Sequence, residues 1–231
     1  MTIWSKSAVD QLGRRLVQDL TADDLARLDD YRRTFGSDYD DVMHAMREVL
    51  GIEVSGRPAK STSAIVDKLR RGTMRLSQMQ DIAGCRTVVP ESAAQQRLVE
   101  RIQSAFPSII DDRTARPSHG YRAVHVIAKP RNLPIEIQVR TRLQHQWAEV
   151  SEKFADAYGM DVKYGGGPGN IREVLDSISE LIADLEEFER TAVAHQETSA
   201  DETRRVESVK TRVAQALREL ASVADNAKES P

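Results

Sequence analysis

The sequence predicts an α/β fold of the α+β type, in which helices alternate with strands. Three observations lead to this prediction. Apolar residues recur at helical spacing from Ser7 to Leu50. Runs rich in β-branched residues, bounded by turn-forming residues, follow between residues 85 and 141. Amphipathic stripes return after residue 170. Hydrophobic residues make up 40% of the 231 residues and charged residues 30%, which is typical of a folded chain and not of a disordered one.

The first part of the chain is predicted to be helical. At least two helices fit the apolar spacing between Ser7 and Leu50, and Thr21 with the acidic residues after it is typical of a helix N-terminus. Arg57-Pro58 interrupts the pattern. Ala64 to Arg71 then predicts a short basic helix.

The middle of the chain is predicted to alternate between strands and a helix, with a hairpin at its end. The predicted elements, in order, are a strand at Cys85–Pro90, a helix at Gln95–Phe106 and strands at Ser108–Asp111, Tyr121–Lys129 and Ile135–Thr141. The last two strands are separated by the short link from Pro130 to Pro134, which suits a hairpin.

The last part is again predicted to be helical. A helix at Leu143–Tyr158 precedes a glycine-rich break at 165–169, and two amphipathic helices follow at Ile171 to about Ala194 and Glu202 to about Ala224. Their apolar stripes fit either packing on the core as a helical hairpin or an interface with another copy of the chain.

Charge and cysteine content exclude several classes of protein. The net charge is −3, so polyanion binding would depend on a local basic patch. The single cysteine, Cys85, excludes an internal disulfide framework and a cysteine-rich metal site, and it fits a reducing cytoplasm. No stretch approaches about 18 apolar residues and the start of the chain is no ordinary signal peptide, so we expect a cytoplasmic protein without a membrane span.

A basic segment follows the first helices. It contains Arg57, Lys60, Lys68, Arg70 and Arg71 within fifteen residues. A triphosphate is a natural counterpart for such a cluster, and the alternative is a solvated helix face.

Two carboxylates are candidate functional residues. One follows the basic segment and the other lies in the last predicted strand. Asp81 precedes a strand and could bind Mg²⁺ together with phosphate oxygens, or it could be a cap or turn residue. Glu136 alternates with isoleucine and valine in Ile135–Thr141, which places Glu136, Gln138 and Arg140 on one face. Tyr121 could offer its ring to a base. The alternative for this polar row is an edge strand with solvated side chains.

Together these segments resemble the synthetase domain of the RelA/SpoT family. The resemblance extends from about Gly56 to Lys163. It is carried by Gly56-Arg57-Pro58, Lys60, Lys68-Leu69, Asp81-Ile82-Ala83-Gly84-Cys85-Arg86, Gly120-Tyr121-Arg122-Ala123-Val124-His125 and Glu136-Ile137-Gln138-Val139-Arg140-Thr141.

The resemblance implies a mixed, mainly antiparallel five-stranded sheet flanked by helices, a nucleotidyltransferase-like synthetase fold. We accordingly expect an N-terminal helical segment at 1–55, a synthetase core at 56–164 and C-terminal amphipathic helices at 165–231.

The resemblance also implies site residues, residue by residue. ATP would be bound by Arg57 and Arg86 on either side of adenine and by Lys60, Lys68 and Arg71 at the triphosphate. Mg²⁺ would be bound by Asp81 and Glu136, with Glu136 also accepting the proton of the 3′-hydroxyl. The acceptor would stack on Tyr121 and be lined by His125, Gln138 and Arg140.

The implied activity is Mg²⁺-dependent transfer of the β,γ-diphosphate of ATP to the ribose 3′-hydroxyl of GDP or GTP, which makes a (p)ppGpp-type alarmone and releases AMP. The sequence departs from the family pattern in two respects near the basic helix. Ala64 precedes Ile65 and Ser63 lies one place earlier, and Arg57 lies one residue further from Lys60 than in the long enzymes of the family. The chain contains no His-Asp dipeptide. We therefore expect a stand-alone synthetase without the family's hydrolase half.

Two other functions remain open. The same chemistry could act on the 3′-terminal adenosine of tRNA or on adenine nucleotides, as in toxins that are paired with an antitoxin. His145–Glu149 and Lys163–Gly167 suggest that branch, and a tRNA would need surface cations such as Arg14, Arg15, Lys163 and Arg172. A non-catalytic alarmone-binding module has less support, because both carboxylates and Tyr121 are present. A homo-oligomer through the C-terminal helices is a further expectation.

Overall fold

The computed structural model describes residues 4–18, 20–72, 74–159, 162, 169–195 and 199–229. Within these residues the helices are α1 (Lys6–Gln18), α2 (Ala22–Arg33), α3 (Gly36–His44), α4 (Thr62–Arg71), α5 (Ser92–Ala105), α6 (Arg142–Tyr158), α7 (Gly169–His195) and α8 (Ala200–Glu229). The strands are β1 (Ser55–Arg57), β2 (Ala83–Val89), β3 (Ser108–Asp112), β4 (Val124–Ala128) and β5 (Ile135–Thr141). A π-helical turn at Ala45–Val49 extends α3, and a 3₁₀ turn lies at Leu76–Gln78.

The predicted elements are confirmed, with small changes at their ends. One change concerns the strand predicted at Tyr121–Lys129, which begins only at Val124. The chain turns before it, because Gly120 has a φ of 80° and the Tyr121 amide donates to the Ser118 carbonyl over 3.0 Å. The predicted break at 165–169 lies outside the described residues apart from Gly169, with which α7 begins.

The strands form one mostly antiparallel sheet in the order β1-β2-β5-β4-β3. β1 was not predicted from the sequence. It pairs antiparallel with β2 through Ser55–Arg86, Gly56–Cys85 and Arg57–Gly84. β5 is the central strand, so the edge-strand interpretation of its polar row is wrong. Glu136 and Arg140 are 8% and 4% exposed.

The chain divides into two compact units. Unit 1 comprises residues 1–87, 101–110 and 125–138, and unit 2 comprises residues 88–100, 111–124 and 139–231. β2, β3, β4 and β5 each contribute residues to both units. The three segments expected along the chain, 1–55, 56–164 and 165–231, stay a prediction.

Unit 1 is built around apolar residues of its first helices and its strands. The fully buried residues include Leu12, Leu16, Leu28, Phe35, Met46, Ile65, Leu76, Ile82, Ile135 and Ile137. The link between β4 and β5 is held by the carboxylate of Asp38, which accepts hydrogen bonds from the amides of Arg131, Asn132 and Leu133 over 3.0 to 3.2 Å. A buried carboxylate that is satisfied by three amides fixes this hairpin on α3.

Unit 2 contains the C-terminal helices. α6, α7 and α8 share one cluster of buried apolar residues, which includes Trp147, Val150, Phe154, Leu175, Ile182, Val213 and Leu217. The stripe that the sequence predicts on α8 packs within this unit. On α7 the buried apolar residues are Leu175, Ile182 and Leu185, whereas Val174, Leu181 and Phe188 of the predicted stripe are exposed. None of the helices in the described ranges is long and apolar enough to cross a membrane.

Candidate active site

Asp81 lies just before β2 and binds two lysines that are distant in the sequence. Its Oδ2 is 2.6 Å from Nζ of Lys60, and its Oδ1 is 2.9 Å from Nζ of Lys68. The Lys60 amide also donates to the carbonyl of Ile82 over 2.7 Å, which ties the segment before α4 to the start of β2. Lys68 comes from α4, a helix that Ser61 caps by accepting from the Ala64 amide. We call Asp81, Lys60 and Lys68 the Asp81 cluster.

The charges of the Asp81 cluster are set by burial and by these ion pairs. Burial alone would raise the pKa of Asp81, but the ammonium groups of Lys60 and Lys68 outweigh it and lower the pKa to about 2. The pKa of Lys60 is also lowered, because its burial and the nearby charges of Lys68 and Arg57 outweigh the single carboxylate that it shares. Asp81 is therefore ionised, as a metal-binding carboxylate must be.

Arg57 and Arg86 lie on one face of the sheet. Arg57 is opposite Gly84, and side chains two residues apart on a strand point the same way, so Arg86 shares that face as a diagonal neighbour of Arg57. Diagonal neighbours are about 7–8 Å apart. Nη2 of Arg57 also donates to the carbonyl of Asp81 over 3.0 Å.

Arg71 is placed differently from the two lysines. It lies in the last turn of α4, is exposed, and its Nε donates to the carbonyl of Asp67 over 3.1 Å. It shares α4 with Lys68. The structure thus groups Lys60 and Lys68 around Asp81 and places Arg71 at the end of the same helix.

Glu136 forms a second buried cluster in unit 1. Its Oε1 is 3.0 Å from Nδ1 of His125, and its Oε2 accepts from Nε2 of Gln138 over 2.7 Å. Burial would raise the pKa of Glu136, but the hydrogen bond and charge of His125 outweigh burial and the repulsion from Asp81, so the pKa is lowered. The two carboxylates are thus both ionised and close enough to repel each other. We call Glu136, His125 and Gln138 the Glu136 cluster.

A glycine allows β5 to approach β2 at this point. A Cβ at Gly84 would lie 2.4 Å from the carbonyl oxygen of Glu136, which is closer than real contacts allow. Only glycine fits where two backbones come this close. Gly84 therefore helps to place Glu136, a role that the sequence did not indicate.

Tyr121 and Arg140 form a pair in unit 2. Nη2 of Arg140 donates to the Tyr121 hydroxyl over 3.0 Å, and the Arg140 guanidinium carbon lies 5.0 Å from the centroid of the tyrosine ring. A guanidinium at this distance from an aromatic face is a cation–π contact. Of the four residues assigned to the acceptor, Tyr121 and Arg140 thus contact each other, whereas His125 and Gln138 contact Glu136.

Comparison with known proteins shows which chains this one resembles. The family model described as the region found in RelA / SpoT proteins matches residues 56–159. An uncharacterized protein of Mycobacterium tuberculosis is 37% identical over 142 residues, which are 55% of this chain and 52% of that protein. The GTP pyrophosphokinase of Photobacterium angustum is 29% identical over 165 residues, 69% of this chain and 22% of that protein. The chain thus spans about half the length of the first relative and about a fifth of the second.

Solved structures share the fold. The small alarmone synthetase 1 of Bacillus subtilis is 25% identical and superposes with a TM-score of 0.56 over 76% of this chain and 100% of that one. The same enzyme bound to its product pppGpp is 24% identical over the aligned part, with a TM-score of 0.54 over 73% of this chain and 95% of that one. The matched region contains both clusters and the Tyr121–Arg140 pair. Residues 56–159 of this chain therefore match the region found in RelA / SpoT proteins.

Proposed function

We propose that this chain is a small alarmone synthetase, which transfers the β,γ-diphosphate of ATP to the ribose 3′-hydroxyl of GDP or GTP. The bond from the 3′-oxygen to the β-phosphorus forms, the bond between that phosphorus and the oxygen on the α-phosphorus breaks, and AMP leaves. The observation that carries the proposal is the pair of buried, ionised carboxylates, Asp81 and Glu136, set beside lysines and arginines. The names of the relatives support it.

The Asp81 cluster is suited to a triphosphate. Lys60 and Lys68 share the single negative charge of Asp81. A triphosphate brings anionic oxygens that can pair with the two ammonium groups in place of Asp81. Arg71 lies in the last turn of α4, the helix that also carries Lys68. Arg57 and Arg86 would hold the adenine between them. Positioning and charge neutralisation of this kind account for most of the catalysis in phosphoryl-type transfer.

The carboxylates also fit Mg²⁺. The described part of the chain contains no group of three or more His, Cys, Asp or Glu side chains that could hold a metal. Mg²⁺ does not need such a group, because it binds through one or two carboxylates together with substrate phosphates. Asp81 and Glu136 are ionised and repel each other, and a divalent cation would relieve this repulsion. When bound, Mg²⁺ would neutralise phosphate charge.

Glu136 would also accept the proton of the attacking hydroxyl. Its lowered pKa means that it is ionised at neutral pH, as a base must be, and also that it is a weaker base than a free glutamate. His125, 3.0 Å away, and Gln138 hold both of its oxygens in place. A fixed, ionised base is what general base catalysis requires.

Tyr121 and Arg140 would bind the acceptor. The ring of Tyr121 offers a stacking surface to the base, and Arg140 holds the hydroxyl at the other end of that ring. A buried guanidinium next to an aromatic ring is also suited to an anionic nucleotide.

A guanine nucleotide is a better-supported acceptor than tRNA. Among the surface cations that a tRNA would use, Arg15 is paired with the buried Asp24 at 2.6 Å and Arg172 with Asp176 at 3.5 Å. Lys163 lies outside the described residues, and Arg14 is exposed on α1. Paired cations offer less to an additional polyanion. An antitoxin and a homo-oligomer through α7 and α8 remain predictions.

The direct test is incubation of the purified protein with γ-labelled ATP and Mg²⁺ in the presence of GDP, GTP, ATP or bulk tRNA. We expect the label in a guanosine product, and no label when Glu136→Gln replaces the wild type. Label in tRNA or in adenine nucleotides, with none in guanine nucleotides, would overturn the proposed acceptor. No transfer to any of the four would overturn the enzyme itself.

A further inference from the structure

Helix α7 lies outside residues 56–159, yet it contacts the turn that carries Tyr121. The contact is made by Ser179, which is 2% exposed. Its hydroxyl donates to the carbonyl of Gly120 over 2.6 Å and accepts from Nε of Arg122 over 3.0 Å. Ser179 thus holds the residues on both sides of Tyr121.

The turn at Tyr121 is conformationally unusual and depends on such contacts. His119 and Gly120 have φ values of 51° and 80°, and non-glycine residues rarely adopt the left-handed region. A Cβ at Gly120 would lie 2.7 Å from the ring of Trp147, so this residue has no room for a side chain. A backbone in this conformation persists only where its surroundings fix it.

Arg122 completes the contact between the turn and α7. Besides the Ser179 hydroxyl, its Nε contacts the carbonyl of Ser179 at 3.2 Å, and its Nη1 donates to the carbonyl of Thr114. Arg122 follows Tyr121 directly in the sequence. One guanidinium therefore links the residue after Tyr121 to α7 and to the segment before the turn.

α7 makes a second contact two turns later, next to the other member of the pair. Oε1 of Glu186 accepts from the Thr141 hydroxyl over 2.6 Å, and its Oε2 accepts from Nε2 of Gln144 over 2.7 Å. Thr141 follows Arg140 directly. Ser179 and Glu186 are seven residues apart, about 10 Å along one face of the helix.

We propose that α7 is a positioning element of the acceptor site, in which Ser179 and Arg122 fix Tyr121, and Glu186 fixes the end of β5 that carries Arg140. The proposal rests on the acceptor role given above to Tyr121 and Arg140. Base stacking and cation–π contacts depend on geometry, so one rigid helix that holds both members keeps the ring and the guanidinium in register.

The test compares Ser179→Ala with Ser177→Ala. Ser177 is on the same helix, is exposed, and bonds only the carbonyl of Glu173 in its own helix, so its variant controls for a serine lost from α7. Loss of the Ser179 hydroxyl removes the donor to the Gly120 carbonyl and leaves Nε of Arg122 only the Ser179 carbonyl, at 3.2 Å, as its acceptor on α7. We expect the KM for the guanine nucleotide to rise about five- to tenfold, with the KM for ATP and kcat unchanged.

A second comparison addresses Glu186. Glu186→Gln places an amide donor opposite the donor of Gln144. The neighbouring Glu187 provides the control, because its side chain is exposed and pairs with Arg190 of the same helix. We expect a raised acceptor KM for Glu186→Gln and wild-type kinetics for Glu187→Gln. Equal acceptor KM values in Ser179→Ala and Ser177→Ala would overturn the role of Ser179.

A measurement without catalysis separates this proposal from the proposed function. The Tyr121 amide is hydrogen-bonded to the Ser118 carbonyl, so its hydrogen–deuterium exchange reports whether the turn is held. Exchange should be faster in Ser179→Ala than in Ser177→Ala. If exchange is faster in Ser179→Ala and the wild type labels no guanine nucleotide, the contact between Ser179 and the turn is supported and the proposed acceptor is wrong. If transfer to guanine nucleotides is normal and exchange is equal in the two variants, the positioning role fails and the function stands.

Discussion

Asp81 has two oxygens and each of them binds a different lysine, so this one carboxylate sets the arrangement of the two lysines that are proposed to bind ATP. Its side chain is 11% exposed, and those of Lys60 and Lys68 are 12% and 34% exposed. Because the ion pairs are largely shielded from water, they are stronger than surface pairs. Asp81 thus links the stability of unit 1 to the chemistry proposed for it.

Replacement of Asp81 separates these two effects. Asp81→Asn should lower turnover at least about a hundredfold, because phosphate charge would no longer be neutralised at that position. Asp67→Asn on α4 is a control, since Asp67 is in neither cluster. Turnover is measured with labelled ATP, and folding by circular dichroism. Near-normal transfer by a folded Asp81→Asn protein would show that Asp81 is wrongly assigned.

Acid should weaken the folded state through the same residue. The pKa of Asp81 is about 2 in the folded chain against 3.8 for the ordinary value, so its contribution is complete above 3.8 and is lost as the pH falls through about 2. The shift corresponds to about 2 kcal/mol. Urea unfolding between pH 5 and 2 should show a decrease in stability larger by about this amount in the wild type than in Asp81→Asn. Parallel curves for the two proteins would contradict the ion-pair account.

Tyr121 offers two different contacts, and two variants separate them. Tyr121→Phe keeps the ring and loses the hydrogen bond from Arg140, so we expect the acceptor KM to rise only a few-fold. Tyr121→Ala also loses stacking, worth about 1–3 kcal/mol, and should raise the acceptor KM by about a further tenfold or more. The KM for ATP is the internal control. A rise in that KM alone would mean that Tyr121 faces ATP.

Among the elements, β5 carries three of the proposed site residues, Glu136, Gln138 and Arg140. A central strand can bury such polar side chains, which a solvated edge strand would leave mobile. Glu136 and Gln138 contact each other on this strand, and Arg140 contacts Tyr121. The neighbouring strand β2 contributes Gly84, which lets the backbones approach. The two central strands thus provide both the charged groups and the space that they need.

Gly84→Ala tests this close approach. The new methyl group would lie 2.4 Å from the Glu136 carbonyl, so β5 must shift, which we expect to cost about 1–3 kcal/mol and to lower turnover. Gly36→Ala is a matched control, because nothing lies within 4 Å of a Cβ there. Denaturant unfolding of both variants measures the difference. Equal stability of the two would show that β2 adapts without cost.

Local patterns were sufficient to predict most elements of the sheet, whereas pairings between distant segments were not. The alternation along β5 predicts that Glu136 and Gln138 share a face, because that period is set within the strand. Nothing in three exposed residues predicts β1. The central position of β5 depends on partners elsewhere in the chain. Ser179 is 59 residues from Gly120, so no local spacing indicates their contact.

For the whole molecule, the net charge of −3 favours a compact, local anion site over an extended one. A tRNA would have to be bound by many surface cations, and its binding would weaken steeply with salt. We expect transfer to GTP to decline only modestly between about 50 and 200 mM salt. Initial rates over this range, with KCl as the salt, provide the measurement. A steep loss with GTP would indicate that an extended surface takes part.

Cys85 is the only cysteine among the 231 residues, and its thiol can report how often the sheet around it opens. The thiol is buried in β2, and burial raises its pKa to about 12, so at neutral pH it is neither accessible nor ionised. A thiol reagent can therefore react only with molecules in which β2 has separated from its neighbours. The labelling rate in native buffer would measure how often the sheet opens, and an added nucleotide that slows labelling would reveal binding without any assay of catalysis. For the same reason, a fluorophore attached to a cysteine introduced on the surface would label that site alone.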